Sequence, residues 1–151
     1  MNDLLAALQD ALEADPILAA YNETVEVQDY DPANLPVFSK HAIIISPKTR
    51  SSAMIAAREW QHAVAVDIVV LRLRFNEEDA ALNADGSVPE TTGILKGISN
   101  VWSCLNNNDL NGTVQRFGDE LAESVPVKEI KGGYYYEAVI AGKFRLAATT
   151  L

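Results

Sequence analysis

Arg58-Glu59-Trp60-Gln61-His62-Ala63-Val64-Ala65-Val66-Asp67-Ile68-Val69-Val70-Leu71-Arg72-Leu73-Arg74-Phe75 is the stretch on which the fold turns. A strand sends alternate side chains to opposite faces. The even positions run Trp60, His62, Val64, Val66, Ile68, Val70, Arg72, Arg74. That face is apolar through its middle and basic at its end. The odd positions start small and polar at Gln61, Ala63, Ala65 and Asp67, and end apolar at Val69, Leu71, Leu73 and Phe75. The pattern predicts one long strand whose buried face changes along its length. Such a change is expected where a strand leaves its own sheet's core and meets something else, such as a neighbouring subunit.

On the N-terminal side, residues 37–46 (VFSKHAIIIS) read as a strand that Pro47 ends. The run Ile43-Ile44-Ile45 suits a strand covered on both sides. Residues 23–29 (ETVEVQD) alternate as a half-exposed strand, and Asp31-Pro32-Ala33-Asn34-Leu35-Pro36 is rich in turn formers. The opening segment 3–15 is a helix with stripe Leu4, Leu5, Leu8, Ala11, Leu12, with Asp3 as its cap and Pro16 as its stop. Between the two central strands, residues 47–58 show neither strand period nor turn punctuation; a short helix and a long hairpin arm both fit. Either it is a solvated loop whose Met54 and Ile55 tuck into the core, or it is a mobile arm that orders on a partner.

On the C-terminal side, 76–92 is a long acidic loop with one helical turn near 77–83. Residues 92–105 carry the clearest helical stripe, Ile94, Leu95, Ile98, Val101, Trp102 and Leu105, with Thr91 or Thr92 as cap. Asn106-Asn107-Asn108 closes it, asparagine being tolerant of the left-handed conformation. The segment 113–125 is ambiguous, and 134–150 reads as one strand or two, opened by Gly132-Gly133 and broken near Gly142-Lys143. Strands and helices do not alternate regularly. The expected architecture is therefore α+β: a single domain over 1–151, with a mixed, mostly antiparallel sheet flanked by two main helices.

Composition bounds the function. The 151 residues carry 12 basic and 21 acidic side chains, a net charge of −9. That balance disfavours general nucleic-acid binding and docking on anionic membranes. No apolar run approaches the ~20 residues of a membrane span. Cys104 is the one cysteine, so no internal disulfide forms and a reducing compartment fits. His41 and His62 each sit in an expected strand, without metal-ligand spacing. The acidic runs Glu77-Glu78-Asp79 and Asp119-Glu120 match no calcium loop. Gly93-Ile94-Leu95-Lys96-Gly97 has neither phosphate-loop nor dinucleotide spacing. No catalysis, cofactor or metal is expected. Tyr134-Tyr135-Tyr136 in a strand splits its rings between two faces, at a core edge or a subunit interface.

Taken whole, the chain resembles the tail terminator proteins of long-tailed bacteriophages, and the related tail-completion and head–tail joining proteins. The resemblance spans the Leu4–Leu12 helix, the acidic strand from Glu23, Ile43-Ile44-Ile45-Ser46-Pro47, the basic-tinged Lys48–Arg58 segment, the long strand, the helix I-L-x-x-I-x-x-V-W-x-x-L and a closing strand from Tyr134. It implies a non-catalytic virion protein at the tail–neck junction, assembled in the host bacterial cytoplasm. It implies a hexameric ring that caps the tail tube, ends tube polymerisation and offers a joining surface to the head. The partners would be further copies of the chain, the tube protein and a head-completion or neck protein. A head-to-tail ring needs two different complementary patches on each subunit. The candidates are basic Arg50, Arg58, Arg72 and Arg74 meeting acidic Glu77, Glu78 and Asp79 of the next subunit, with Met54, Ile55, Tyr134 and Tyr136 as apolar contacts. The alternative is a small dimeric α+β ligand-binding or regulatory domain.

Overall fold

The computed structural model of the chain describes residues 2–56, 59–106, 108, 110, 114–116, 125–146 and 149–150, with side chains for 3–48, 63–106, 108, 110 and 125–146. Its elements are α1 (Asn2–Ala14), α2 (Pro16–Ala19), β1 (Thr24–Val27), β2 (His41–Ala56), β3 (Glu59–Leu73), α3 (Glu78–Asn83), α4 (Ile94–Leu105), β4 (Val114–Arg116), β5 (Val127–Ile130), β6 (Tyr135–Leu146) and β7 (Thr149–Thr150). The strands form one sheet in the order β1-β2-β3-β6-β4, with β5 also on β6 and β7 on β3. Among the described residues, only β1 and β2 run parallel; the other pairs are antiparallel. This is the α+β architecture with a mixed, mostly antiparallel sheet, and α1 and α4 are its two main helices.

The long strand carries two cores. Val64, Val66, Ile68 and Val70 face α1, α2 and α4, beside Ile43, Ile45, Ala138, Ile140 and Phe144 from the flanking strands. Val69 and Leu71 face the other way, into a second cluster with Ala42, Ile44 and Ile130. Tyr30, Leu35 and Phe38 cover that cluster. They belong to the crossover between β1 and β2. A parallel pair cannot be joined by a tight hairpin and needs about a dozen linking residues; here that link becomes the lid of the second core. The change of buried face read from the sequence is present. The odd face at Val69 and Leu71, however, meets the chain's own crossover, where the sequence reading offered a neighbouring subunit.

Local chemistry explains the helix boundaries. Leu4, Leu8 and Leu12 are completely buried, as a stripe spaced by four requires. Pro16 ends α1, but it also starts α2 as its first residue, where a missing N–H costs nothing. Asp15 Oδ1 accepts the amides of Ile17 and Leu18, both at 3.0 Å.

Asp3, expected to cap α1, lies inside its first turn, and four further expectations need correction. First, the structure carries β2 straight through Pro47 to Ala56, so 47–56 is the hairpin alternative with 57–58 outside the described residues. Proline is tolerated there because β1 pairs β2 only as far as Ile45, and the β2–β3 register shifts between Pro47 and Arg50. Second, α4 is capped by Gly93, not by Thr91 or Thr92; Thr92 Oγ1 instead donates to Pro89 O at 2.7 Å. Third, Leu95 is 46% exposed, while Gly97 and Asn100 turn inward, because Asn100 Nδ2 donates to the buried Tyr21 hydroxyl at 3.1 Å. Fourth, Asn106 ends α4 in an extended conformation (φ −65°, ψ 125°), not a left-handed one. At the other end of the chain, β6 is continuous across Gly142, and β5 precedes it through a tight turn in which Gly132 and Gly133 take φ of 66° and 89°.

His41 is a structural histidine. It is 4% exposed, meets the Tyr21 ring edge-on at 4.9 Å, and its Nε2–H donates to Thr92 O at 2.8 Å. Burial pushes its pKa down to about 4 from 6.5. The unfolded chain therefore binds a proton on this ring between those two values and the folded chain does not. Stability from this group is full above pH 6.5 and falls as pH drops toward 4, by up to about 3 kcal/mol. Urea unfolding of wild type and His41→Gln across that window checks it: the wild-type slope is expected to be the steeper.

Candidate functional site

The resemblance implies contacts between subunits, which places the candidate site on the surface. At one end of the sheet, the register sets His41 opposite Arg72. Arg72 is 1% exposed. Its Nε donates to Thr92 O at 2.8 Å, the same carbonyl that takes the His41 proton. Its Nη2 donates to Thr91 O at 3.3 Å and its Nη1 to Glu77 Oε2 at 2.8 Å. Lys40 Nζ reaches the second Glu77 oxygen at 3.2 Å. Arg72 chiefly, with Lys40 adding, holds the Glu77 carboxyl below its usual range. The expected meeting of Arg72 with Glu77 of the next subunit is thus corrected: the pair closes within one chain. It pins the loop before α4 to the end of the sheet.

Arg74 is also engaged at home. It donates from Nη1 to Gly133 O at 3.0 Å, pairs with Glu129 at 3.3 Å, and lies over the Tyr136 ring at 5.4 Å. Tyr135 and Tyr136 do split between the two clusters, as strand alternation demands. Tyr134 precedes the strand and stacks on Phe75, with centroids 4.6 Å apart and planes 12° from parallel. Both rings stay half exposed, at 49% and 50%. Phe75 was legible only as the last odd position of the long strand; nothing local in the sequence names Tyr134 as its partner. Glu78 and Asp79 lie exposed on the first turn of α3.

The distal half of the β2–β3 hairpin carries Arg50, Met54 and Ile55 on β2. Their side chains, and the whole of Arg58, lie outside the described residues. The backbone there shows where they stand: Arg50 pairs with Val64 and Met54 with Trp60, beyond the reach of β1 and next to the β7 pairing at Glu59 and Trp60. Lys48, at the root of this half, sits 3.8 Å from Asp67.

Two further groups bear on chemistry. Cys104 Sγ lies 3.5 Å from Ala11 O, and burial beside Asp15 pushes its thiol up to about 12, far from a reactive thiolate. Glu137, 2% exposed, is a buried carboxylate that the sequence reading missed. The Tyr30 hydroxyl donates to one of its oxygens and Lys128 Nζ to the other at 3.1 Å. Burial and this carboxylate push the Tyr30 hydroxyl well above its ordinary pKa. The only signal was an acid inside an apolar strand. Among the described residues, no group of three or more His, Cys, Asp or Glu side chains is placed to hold a metal ion.

No family model and no curated protein matches the chain. A solved virion does. In "Virion of native gene transfer agent (GTA) particle", one chain superimposes with a TM-score of 0.53 at 15% identity, over 95% of this chain and 93% of that one. At that identity the likeness is one of fold, and it runs nearly end to end.

Proposed function

We propose that this chain is a structural protein of a phage-type virion. More finely, it closes the tail tube as a hexameric ring, ends tube polymerisation and presents the head-joining surface at the tail–neck junction, without catalysis or cofactor. The observation that carries the reading is the likeness of fold to a virion chain along almost its full length. The β2–β3 hairpin supports it, since its distal half runs beyond the parallel strand β1. In this reading that half docks on the tube.

The test is solution mass by light scattering, from micromolar concentration upward at low and moderate salt, with negative-stain imaging of the heaviest species. A six-fold ring, alone or on isolated tail tubes, is the expected result. A persistent dimer that ignores tubes favours the ligand-binding alternative. Placing aspartate at both Met54 and Ile55 is expected to lower tube capping at least about tenfold, since burying each apolar side chain is worth roughly 1.5–3 kcal/mol. Thermal unfolding is the control, with a midpoint within a few degrees of wild type.

A further inference from the structure

The stretch from Asn76 to Gly93 is fastened to the sheet chiefly by polar side chains. From 76 to 91 only Ala81 is buried, and the stretch contributes no strand. Polar ties hold it at both ends instead. At its start, Glu77 takes Arg72 at 2.8 Å and Lys40 at 3.2 Å. At its end, Thr92 O takes Arg72 Nε and the His41 Nε2–H, each at 2.8 Å. A segment with few buried apolar contacts and no ladder is the kind that opens before the rest of a fold.

Of the side chains in these ties, only histidine ordinarily changes charge between pH 5 and 8. The surroundings of His41 suit the neutral ring. Arg72 stands directly opposite it on β3, Lys40 precedes it in the chain, and the Tyr21 ring meets it edge-on. The nearby carboxylates are already engaged. Glu23 accepts the amides of Ser39 and Lys40, and Glu77 serves Arg72 and Lys40. A proton added at Nδ1 therefore sets two cations on one carbonyl oxygen, at a cross-strand position where like charges repel. His41 and Arg72 are both buried, so water screens them little. The strands cannot part to relieve the clash, because β2 and β3 pair continuously from His41–Arg72 to Pro47–Val66. The loop has no such ladder and can yield.

We infer that a proton on His41 lets the 76–93 loop swing off the end of the sheet while the sheet and α1 stay folded, which makes the loop an acid-opened flap. Opening uncovers the Arg72 guanidinium, which the closed loop hides. The inference stands apart from the ring reading. Its direction follows from linkage. The closed chain keeps the ring proton-free down to about 4, whereas a released ring takes the proton at its ordinary 6.5. The open fraction is therefore lowest above pH 6.5 and rises about 30-fold between pH 7 and pH 5. Glu77, held below its usual range by Arg72 and Lys40, keeps its charge in the closed chain across that window.

Native-state hydrogen exchange at pH 7, 6 and 5, with intrinsic amide rates divided out, tests the flap. The Ala81, Ala84, Thr92 and Gly93 amides donate to acceptors within the loop or just before it and report on it. Their protection is expected to lie at least about tenfold below that of β6 amides, and to fall about 30-fold over the range. His41→Gln keeps an N–H for Thr92 O and removes the titration, so its loop protection is expected to stay level. Loop protection equal to that of β6 in the wild type makes the opening global and overturns the flap. A fall that persists in His41→Gln overturns it too. Should that variant not fold, an NMR titration of the wild type decides. The Thr92 and Gly93 amide signals are expected to follow the His41 ring signal with pH, and amides that stay put while the ring titrates overturn the inference.

Discussion

Replacing Arg72 with alanine lowers the free energy of unfolding by about 3–5 kcal/mol, chiefly from stranded backbone carbonyls at about 1–3 kcal/mol each and from the cavity left behind. The loss has several parts. Glu77 keeps only Lys40. The Thr91 carbonyl loses a donor, and Thr92 O is left to His41 alone. A cavity also opens where one of the largest fully buried side chains stood. The loop from α3 to α4 then comes loose from the sheet, so hydrogen exchange of the α4 amides should rise along with the fall in urea midpoint. Arg72→Lys rescues little, because one ammonium cannot serve two carbonyls and a carboxylate in the geometry that the guanidinium fork spans. Under the proposed ring reading, charge reversal at Arg72 would abolish assembly too, but by unfolding the subunit. Assembly defects are informative only at positions such as Glu78 or Asp79, where the side chain faces solvent.

Gly93→Ala is expected to cost about 3 kcal/mol, the upper end for overpacking. A Cβ at Gly93 would stand 2.7 Å from Ala84 N, 2.8 Å from Leu82 O and 2.9 Å from Ala80 O. All three are backbone atoms at the end of α3, so no side chain can swing aside to make room. The same close approach lets Gly93 N donate to Ala84 O at 3.0 Å. Gly97→Ala is the matched control. There the added carbon meets Val70 Cγ1 at an ordinary 3.5 Å, and the helix interior gains the roughly 0.8–1 kcal/mol by which alanine exceeds glycine. Thermal melts of the two variants should therefore move in opposite directions. A Gly93→Ala protein as stable as wild type would show that α3 gives way freely.

Periodicity made the long strand, the Leu4–Leu12 helix and α4 legible, because each buries one face over many residues and the signal accumulates. It failed where the decisive contact is distant in sequence. Thr92 looks like a cap until the packing of α3 against Gly93 is known. Leu95 and Asn100 exchange their expected places because Tyr21, far back in the chain, offers Asn100 a buried hydroxyl. Arg72 and Arg74 read as a basic edge because nothing local shows that Thr91, Thr92 and Gly133 supply carbonyls to them. Pro47 stops most strands, and this one continues where β2 has no partner strand on its outer side among the described residues.

Beyond Ile45 and the Gln28 amide that reaches it, the outer edge of β2 has no partner strand among the described residues. An open edge of that length is a template for aggregation, since any extended chain can add to it. Here Pro47 removes one donor, the neighbouring register shift disturbs the ladder, and Lys48 and Arg50 bring charge. These are gatekeepers against amyloid-like stacking. They keep the chain from stacking on copies of itself at high concentration, and substitutions that straighten and neutralise this edge would trade solubility for insoluble fibre.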